Sequence, residues 1–424
     1  MIMLVFTSIY GVVDGFFVSN FVGKSAFTAV NFIMPFLMIL GAVGFMFGTG
    51  GGALIAKTLG EGDKEKAGRL FSMVVYTSAA LGAVLAAAGF VLLRPLLTVL
   101  GAEGELLENC VLYGRIILAA NPMYILQYEF QCLFPTAGKP SLGLYVTVAA
   151  GVTNMVLDAL FVAVLPWGIQ GAAAATAISQ CVGGLVPLVY FALPNSSLLR
   201  LGRARRDLRA LLRVCANSSS ELMSNISIPL VSMLYNLQLL VMAGEDGVAD
   251  YGVLMYVSLL FQAVFLGYSV GSAPVISYHY GARNAAEVKG ILRRSLGLIG
   301  GFALAMFAAA LGLAQPLSRL FVGYDQALYE LTVRAFGIFA FSFLFTGFAI
   351  FGSAFFTAPN NGLISALISF LRTLLFQMAA VLLLPLIWQV DGIWAATVAA
   401  EFMAALVAAA FLWRCRDETA LTAS

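Results

Sequence analysis

The chain reads as long apolar blocks separated by short stretches of glycine, proline or charge. Twelve blocks stand out, at about 2–22, 27–56, 70–93, 110–134, 141–165, 171–193, 215–243, 252–280, 291–314, 328–356, 363–387 and 392–413. A membrane-spanning helix needs about 20 apolar residues. Each block is therefore expected to cross a bilayer as a helix. Those longer than 25 residues fit tilted, bent or interrupted helices. The pattern predicts an all-α integral membrane protein with twelve transmembrane helices.

Composition agrees. Of 424 residues, 61% are hydrophobic and 10% charged, against about 45–50% and about 25% in a soluble domain. A water-soluble globular protein is excluded, as are a disordered chain and a fibrous repeat. The net charge of +2 comes from scattered basic residues, so no nucleic-acid partner is expected. Five dispersed cysteines without a CxxC give no disulfide framework or metal knuckle. The lone His279 argues against a histidine metal centre.

The charges set an orientation. Connections after even-numbered spans, together with the tail, hold 17 of the 23 basic residues, including Arg200, Arg203, Arg209, Arg283 and Arg293. The opposite connections hold three, Lys24, Arg94 and Arg319, beside Glu103, Glu105, Glu108, Glu245, Asp246, Asp250 and Asp325. Basic loops stay in the cytoplasm. The expectation is a multi-pass protein of the cell inner (cytoplasmic) membrane with both termini cytoplasmic. Met1 stands at the edge of an apolar run with no basic lead-in and no A-x-A site, so the start is not a cleaved signal peptide. A truncated or misassigned start is the expectation there.

The two halves align at a constant offset of 221 residues. Gly50 matches Gly271, Gly60 matches Gly281, and Pro95-Leu96 matches Pro316-Leu317. Thr136-Ala137 matches Thr357-Ala358, and Gly171, Ala174, Ala175 and Thr176 match Gly392, Ala395, Ala396 and Thr397. The chain is read as an N-terminal lobe (1–195, spans 1–6), a basic cytoplasmic linker (196–214) and a C-terminal lobe (215–424, spans 7–12 and a short tail). Six spans is an even number, so the lobes are parallel repeats with pseudo-two-fold symmetry. Transporters built this way alternate access around a midplane site. A monomer is expected.

Several strings carry a resemblance: VVDGFFVSNFVG (12–23), GTGGGALIAKTLGEGDKEKA (48–67), NMVLDALFV (154–162), GAAAATAISQ (171–180) and GSAPVISYHYGARN (271–284). In order, spacing and duplication they resemble the multidrug and toxic compound extrusion (MATE) family across nearly the whole chain. The resemblance implies an export antiporter driven by inward proton or sodium flow, with amphipathic organic cations, drugs included, as cargo. It implies no cofactor beyond the coupling ion.

A charge at the bilayer centre costs a few kcal/mol or more, so carboxylates within spans are functional candidates. Asp14 is central in span 1. Asn154 and Asp158 lie four apart in span 5, on one helix face, and Thr176 begins span 6. These four can converge within the first lobe. Carboxylates held there can take up and release a proton, and carboxylate, amide and hydroxyl oxygens are also the hard ligands sodium wants. The resemblance gives these positions a cation-binding role. The alternative is a hydrogen-bonded cluster that ties helices together. No other metal site is expected.

Substrate contacts are proposed for Glu129 and Gln127 in span 4 and for Glu221 and Asn225 in span 7, with helix–helix bonding or an interfacial position as the alternative. Residues two apart on a helix point apart, so Gln127, Glu129 and Gln131 cannot all line one cavity. Arg372 in span 11 and Glu401 in span 12 read as a structural ion pair. A lipid-linked saccharide flippase is a rival within the same broad superfamily, but it calls for a basic cavity, and Arg372 is the one deep base. An integral-membrane enzyme lacks support, since HExxH, a histidine cluster and GxSxG are absent. A channel would fit the duplication less well.

Overall fold

A computed structural model of the chain describes residues 17–22, 24–99, 102–204, 207–322, 326–359 and 361–418. Every regular element among these residues is helical. That is what lipid dictates: with no water to bond, the backbone must satisfy its own N–H and C=O groups. The chain divides into two compact units, Ile2–Ala216 and Asn217–Ser424.

The first unit opens with a π-helical turn, Val18–Val22, followed by α1 (Lys24–Gly60), α2 (Lys64–Val99), α3 (Gly104–Thr136) and α4 (Pro140–Asp158). A second π segment, Ala159–Val164, extends α4. α5 (Gly168–Ala192) and the short α6 (Leu208–Asn217) follow. The second unit holds α7 (Ser219–Gly281), α8 (Ala285–Val322), α9 (Gln326–Phe339), a 3-10 turn (Ala340–Ser342), α10 (Phe343–Thr357) and α11 (Gly362–Phe370). A third π segment, Leu371–Leu375, leads into α12 (Phe376–Leu383), and α13 (Pro385–Glu418) ends it. Ten stretches among the described residues are long and apolar enough to cross a membrane. α3, at 33 residues, is also long enough, though Asn121, Gln127, Glu129 and Gln131 interrupt its apolar run. Most of the first expected span lies outside the described residues.

α3 is the hub of the first unit and packs on α1, α2 and α5. Glycines permit the close approach. A Cβ on Gly44 of α1 would stand 2.3 Å from the Ile125 carbonyl oxygen, and one on Gly184 of α5 would stand 2.6 Å from that of Met123. Small residues at such seams are how membrane helices come together where lipid is as apolar as leucine. Phe71, Phe130, Phe134 and Phe191 fill the end of the unit near the α1–α2 turn, with Phe130 and Phe191 stacked at 5.7 Å. Leu199, Leu201 and Val214 are buried in the same cluster. The segment read as a linker, 196–214, is thus anchored on the first unit by its apolar residues, while Arg200, Arg203, Arg209 and Arg213 are exposed.

Local backbone repeats at the 221-residue offset. Gly62 turns α1 into α2 at φ +88°, and Arg283 turns α7 into α8 at φ +55°. Asp63 then accepts from the Lys66 N–H at 2.9 Å, and Asn284 accepts from the Glu287 N–H at 3.1 Å. Both are helix N-caps of the preferred type. Likewise Gly168, at φ +62°, has its counterpart in Gln389 at φ +52°. Gln389 breaks the helical path near the start of α13, in the gap expected between 387 and 392.

Candidate functional site

The polar interior of the first unit begins at the end of α4. Its apolar run is interrupted by Asn154 and, one turn later, by Asp158; both are buried, Asp158 completely. The Asn154 amide Nδ2 donates to Thr176 Oγ1 on α5 at 3.4 Å. Asn154 Oδ1 has no hydrogen-bond partner among the described residues. Ser179 Oγ donates to the Thr176 carbonyl at 2.9 Å and fixes that turn.

Local chain geometry holds the two helices in register. Directly after Asp158 the backbone changes from α to π, a rare form frequent at functional sites. The π segment closes when the Trp167 N–H donates to the Phe161 carbonyl at 2.8 Å, and the Phe161 and Trp167 rings stack at 4.6 Å. Gly168 then takes its positive φ, and Gly171 lets α5 seat against the Phe161 backbone. Thr176 arrives beside Asn154 because this corner is tight. Asp14 lies outside the described residues.

The structure brings together Asn154 and Thr176, and sets Asp158 one turn from Asn154. It does not gather Gln127 and Glu129 on one surface. Gln127 packs against Gly183 of α5. Glu129 faces α2, where it bonds to Ser78, and is completely buried. Asn225 on α7 is half-buried, and the side chain of Glu221 lies outside the described residues.

In the second unit, Arg372 Nε donates to both oxygens of Glu401, at 3.1 and 2.9 Å. Beside this pair is a cluster that the sequence reading did not single out. The Tyr235 hydroxyl donates to Gln377 Oε1 at 2.8 Å and lies 3.0 Å from Thr397 Oγ1. A signal for it existed: at the 221-residue offset Tyr235 corresponds to Asp14 and Thr397 to Thr176. A hydroxyl network, Ser220–Ser365–Ser353–Ser369 with Thr357, was also unforeseen. Asp250, counted among outer-loop acids by its sequence position, is completely buried within α7. Helical hydrogen bonding runs through the connection where a loop was expected, and this carries Asp250 into the packed interior. No cluster of three or more metal-binding side chains occurs among the described residues.

Membrane-length helices in two units, with carboxylate, amide and hydroxyl groups enclosed inside the first, are the build of a membrane transporter. The MatE family model matches residues 1–160 and 222–383, and the chain belongs to that family. It is similar to the multidrug export protein MepA of Staphylococcus aureus (strain NCTC 8325 / PS 47), at 23% identity over 100% of this chain and 93% of the relative. Among solved structures, a crystal structure of MATE in complex with MaL6 superposes with a TM-score of 0.94 at 23% identity, covering 100% of this chain and 95% of that one. The outward-facing conformation of a multidrug resistance MATE family transporter of the MOP superfamily gives 0.93 at 22%, covering 100% and 94%. The fold is the twelve-helix, two-lobe fold of MATE transporters. The protein is a multi-pass membrane transporter, not an enzyme.

Proposed function

We propose that this transporter exports small amphipathic organic cations, drugs among them, in exchange for protons or sodium ions. It works by alternating access as a monomer in the inner membrane, with both termini in the cytoplasm. The observation that carries the reading is Asp158, enclosed within the first unit one turn from the Asn154–Thr176 contact. A membrane-buried carboxylate is costly unless it has work to do. In this reading Asp14 and Asp158 take the coupling ion. Asn154 and Thr176 supply neutral oxygens to it, with Asn154 Oδ1 free among the described residues to serve as one.

Ion binding would draw α4 and α5 together at the π corner and reshape the first unit toward outward release. The similarity to a multidrug export protein supports a drug cargo. The flippase alternative needs an unpaired base for a pyrophosphate, and Arg372 is already engaged by Glu401.

The test is dye or drug efflux from proteoliposomes, with a proton or a sodium gradient imposed separately. Asp158→Asn is expected to abolish gradient-driven efflux while leaving the protein in the membrane. Full efflux from that variant would overturn the assignment. Stimulation by one gradient alone would name the coupling ion.

A further inference from the structure

Among the described residues Glu129 is the other fully buried carboxyl of the first unit, and it stands apart from the Asn154–Thr176 contact. It lies on α3, is 0% exposed, and meets α2 through Ser78. Its second oxygen, Oε1, has no hydrogen-bond partner among the described residues.

The helices around it offer no counter-charge. α1 from Phe32 to Ala56, α2 from Leu70 to Leu93, and α5 throughout contain no Asp, Glu, Lys or Arg. On α3 the nearest basic residue is Arg115, fourteen residues away and exposed. α4 contributes only Asp158, of the same sign. The other titratable groups on these elements are charges at the helix ends, Lys24 and Lys57 on α1, Lys64, Glu65, Lys66, Arg69 and Arg94 on α2, and Glu105 and Glu108 on α3, and a set of tyrosines and cysteines: Tyr76, Cys110, Tyr113, Tyr124, Tyr128, Cys132, Tyr145, Cys181 and Tyr190. An ionised Glu129 would thus be an unpaired charge inside a helix bundle in lipid, a situation that membrane proteins avoid.

The hydrogen-bond arithmetic points the same way. Ser78 Oγ is in contact with two acceptor groups at once, the Val75 carbonyl oxygen at 3.0 Å and Glu129 Oε2. A serine hydroxyl has one hydrogen to give and two lone pairs to receive with. It cannot donate fully to both. If Glu129 carries a hydrogen, Glu129 donates to Ser78 and Ser78 donates to Val75, and every contact is satisfied. A small metal cation would need several oxygens around it, and here one carboxyl and one hydroxyl are at hand.

We propose that Glu129 and Ser78 form a second proton-binding site of the first unit, in which a neutral Glu129 carboxyl donates to Ser78 and fastens α3 to α2. The proton is taken from water and returned to it, with no bond made or broken except O–H. The assignment is separate from the Asp158 coupling site and does not depend on it.

Infrared spectroscopy of the full-length protein in lipid nanodiscs at neutral pH tests it. Glu129→Gln should remove one protonated-carboxyl C=O stretching band, a band that also shifts on exchange into D2O. Ser78→Ala should move that band to higher frequency, because the hydroxyl acceptor is lost. Asp158→Asn should leave it in place. In a titration from neutral to alkaline pH, the wild type should release one proton per chain more than Glu129→Gln. Loss of a carboxylate band in Glu129→Gln, with every protonated-carboxyl band retained, would overturn the proposal. Should Glu129→Gln fail to fold, the Ser78→Ala band shift decides alone: a shift supports the site, and an unmoved spectrum refutes it.

Discussion

The Arg372–Glu401 pair allows a stability prediction with a definite sign. Arg372 sits on the third π segment and Glu401 on α13, and their side chains are only 13% and 5% exposed. At about 3 Å separation their attraction is worth about 5 kcal/mol at an effective dielectric of 20. Withdrawing two ions from water costs a comparable amount, so the intact pair contributes little relative to a well-packed apolar pair. Removing one partner is different, because the survivor stays buried and uncompensated. Arg372→Met alone and Glu401→Leu alone are each expected to destabilise by about 3–5 kcal/mol. The double variant should lie within about 1–2 kcal/mol of the wild type, since it buries no charge. Thermal and denaturant unfolding of the purified protein in nanodiscs gives the four corners of the cycle. Additive single effects, each below about 1 kcal/mol, would refute the reasoning and mean that water reaches the pair. Efflux retained by the double variant would fix its role as structural.

Other expectations follow from the repeated backbone. Arg283→Gly should stabilise by about 0.5–1 kcal/mol, because it relieves a left-handed non-glycine residue at some entropic cost in the unfolded chain. Gly62→Ala, at the matching turn, should destabilise by about 1–2 kcal/mol although no atom lies within 4 Å of the added Cβ. Melting temperatures of both variants check the pair. Gly44→Ala should cost several-fold more than an ordinary helix substitution, because its Cβ would fall on the Ile125 carbonyl and force α1 from α3. Gly297→Ala, on an open face of α8, should instead gain about 0.5–1 kcal/mol. Equal melting shifts for those two would contradict the packing described at the α1–α3 seam.

What the sequence disclosed depended on the physics involved. Spans, chain punctuation and the duplication were visible because lipid demands uninterrupted apolar helices and because turns need particular residues. Gly62 and Gly168 announce their positive φ, yet Arg283 and Gln389 adopt the same backbone without a glycine, and only the 221-residue offset exposes them. Asp250 misled because a helix that continues through an expected loop changes what an acid there touches. Glu129 was recognisable as an intramembrane carboxyl, but its direction was not. Spacing showed that Gln127 and Glu129 diverge, and only packing showed that one meets Gly183 and the other Ser78. Asp14, the first of the expected coupling residues, lies outside the described residues.

The duplication also shows where the lobes diverge. At the 221-residue offset Asp14 corresponds to Tyr235, Asn154 to Leu375, Asp158 to Ala379 and Thr176 to Thr397. Both carboxylates proposed for coupling in the first lobe have uncharged counterparts in the second. There the Tyr235 hydroxyl reaches Gln377 and Thr397 directly, and protein atoms fill the roles that an ion would fill in the first lobe. Of the buried carboxylates in that unit, Glu401 is held by Arg372, and Asp250 lies on α7 next to Tyr251, whose ring stacks on Tyr235. On the proposed function, this asymmetry would confine coupling to the first lobe and make the Tyr235 cluster a structural tie. Tyr235→Phe should therefore cost about 1–3 kcal/mol, for the buried Gln377 acceptor left unmatched, and keep gradient-driven efflux. Asp158→Asn should do the reverse, losing the gradient dependence with little change in melting. Efflux and melting measured on both variants at equal membrane abundance separate the two effects. If Tyr235→Phe abolishes efflux as completely as Asp158→Asn while its melting is unchanged, the second lobe takes part in coupling and the argument from asymmetry fails.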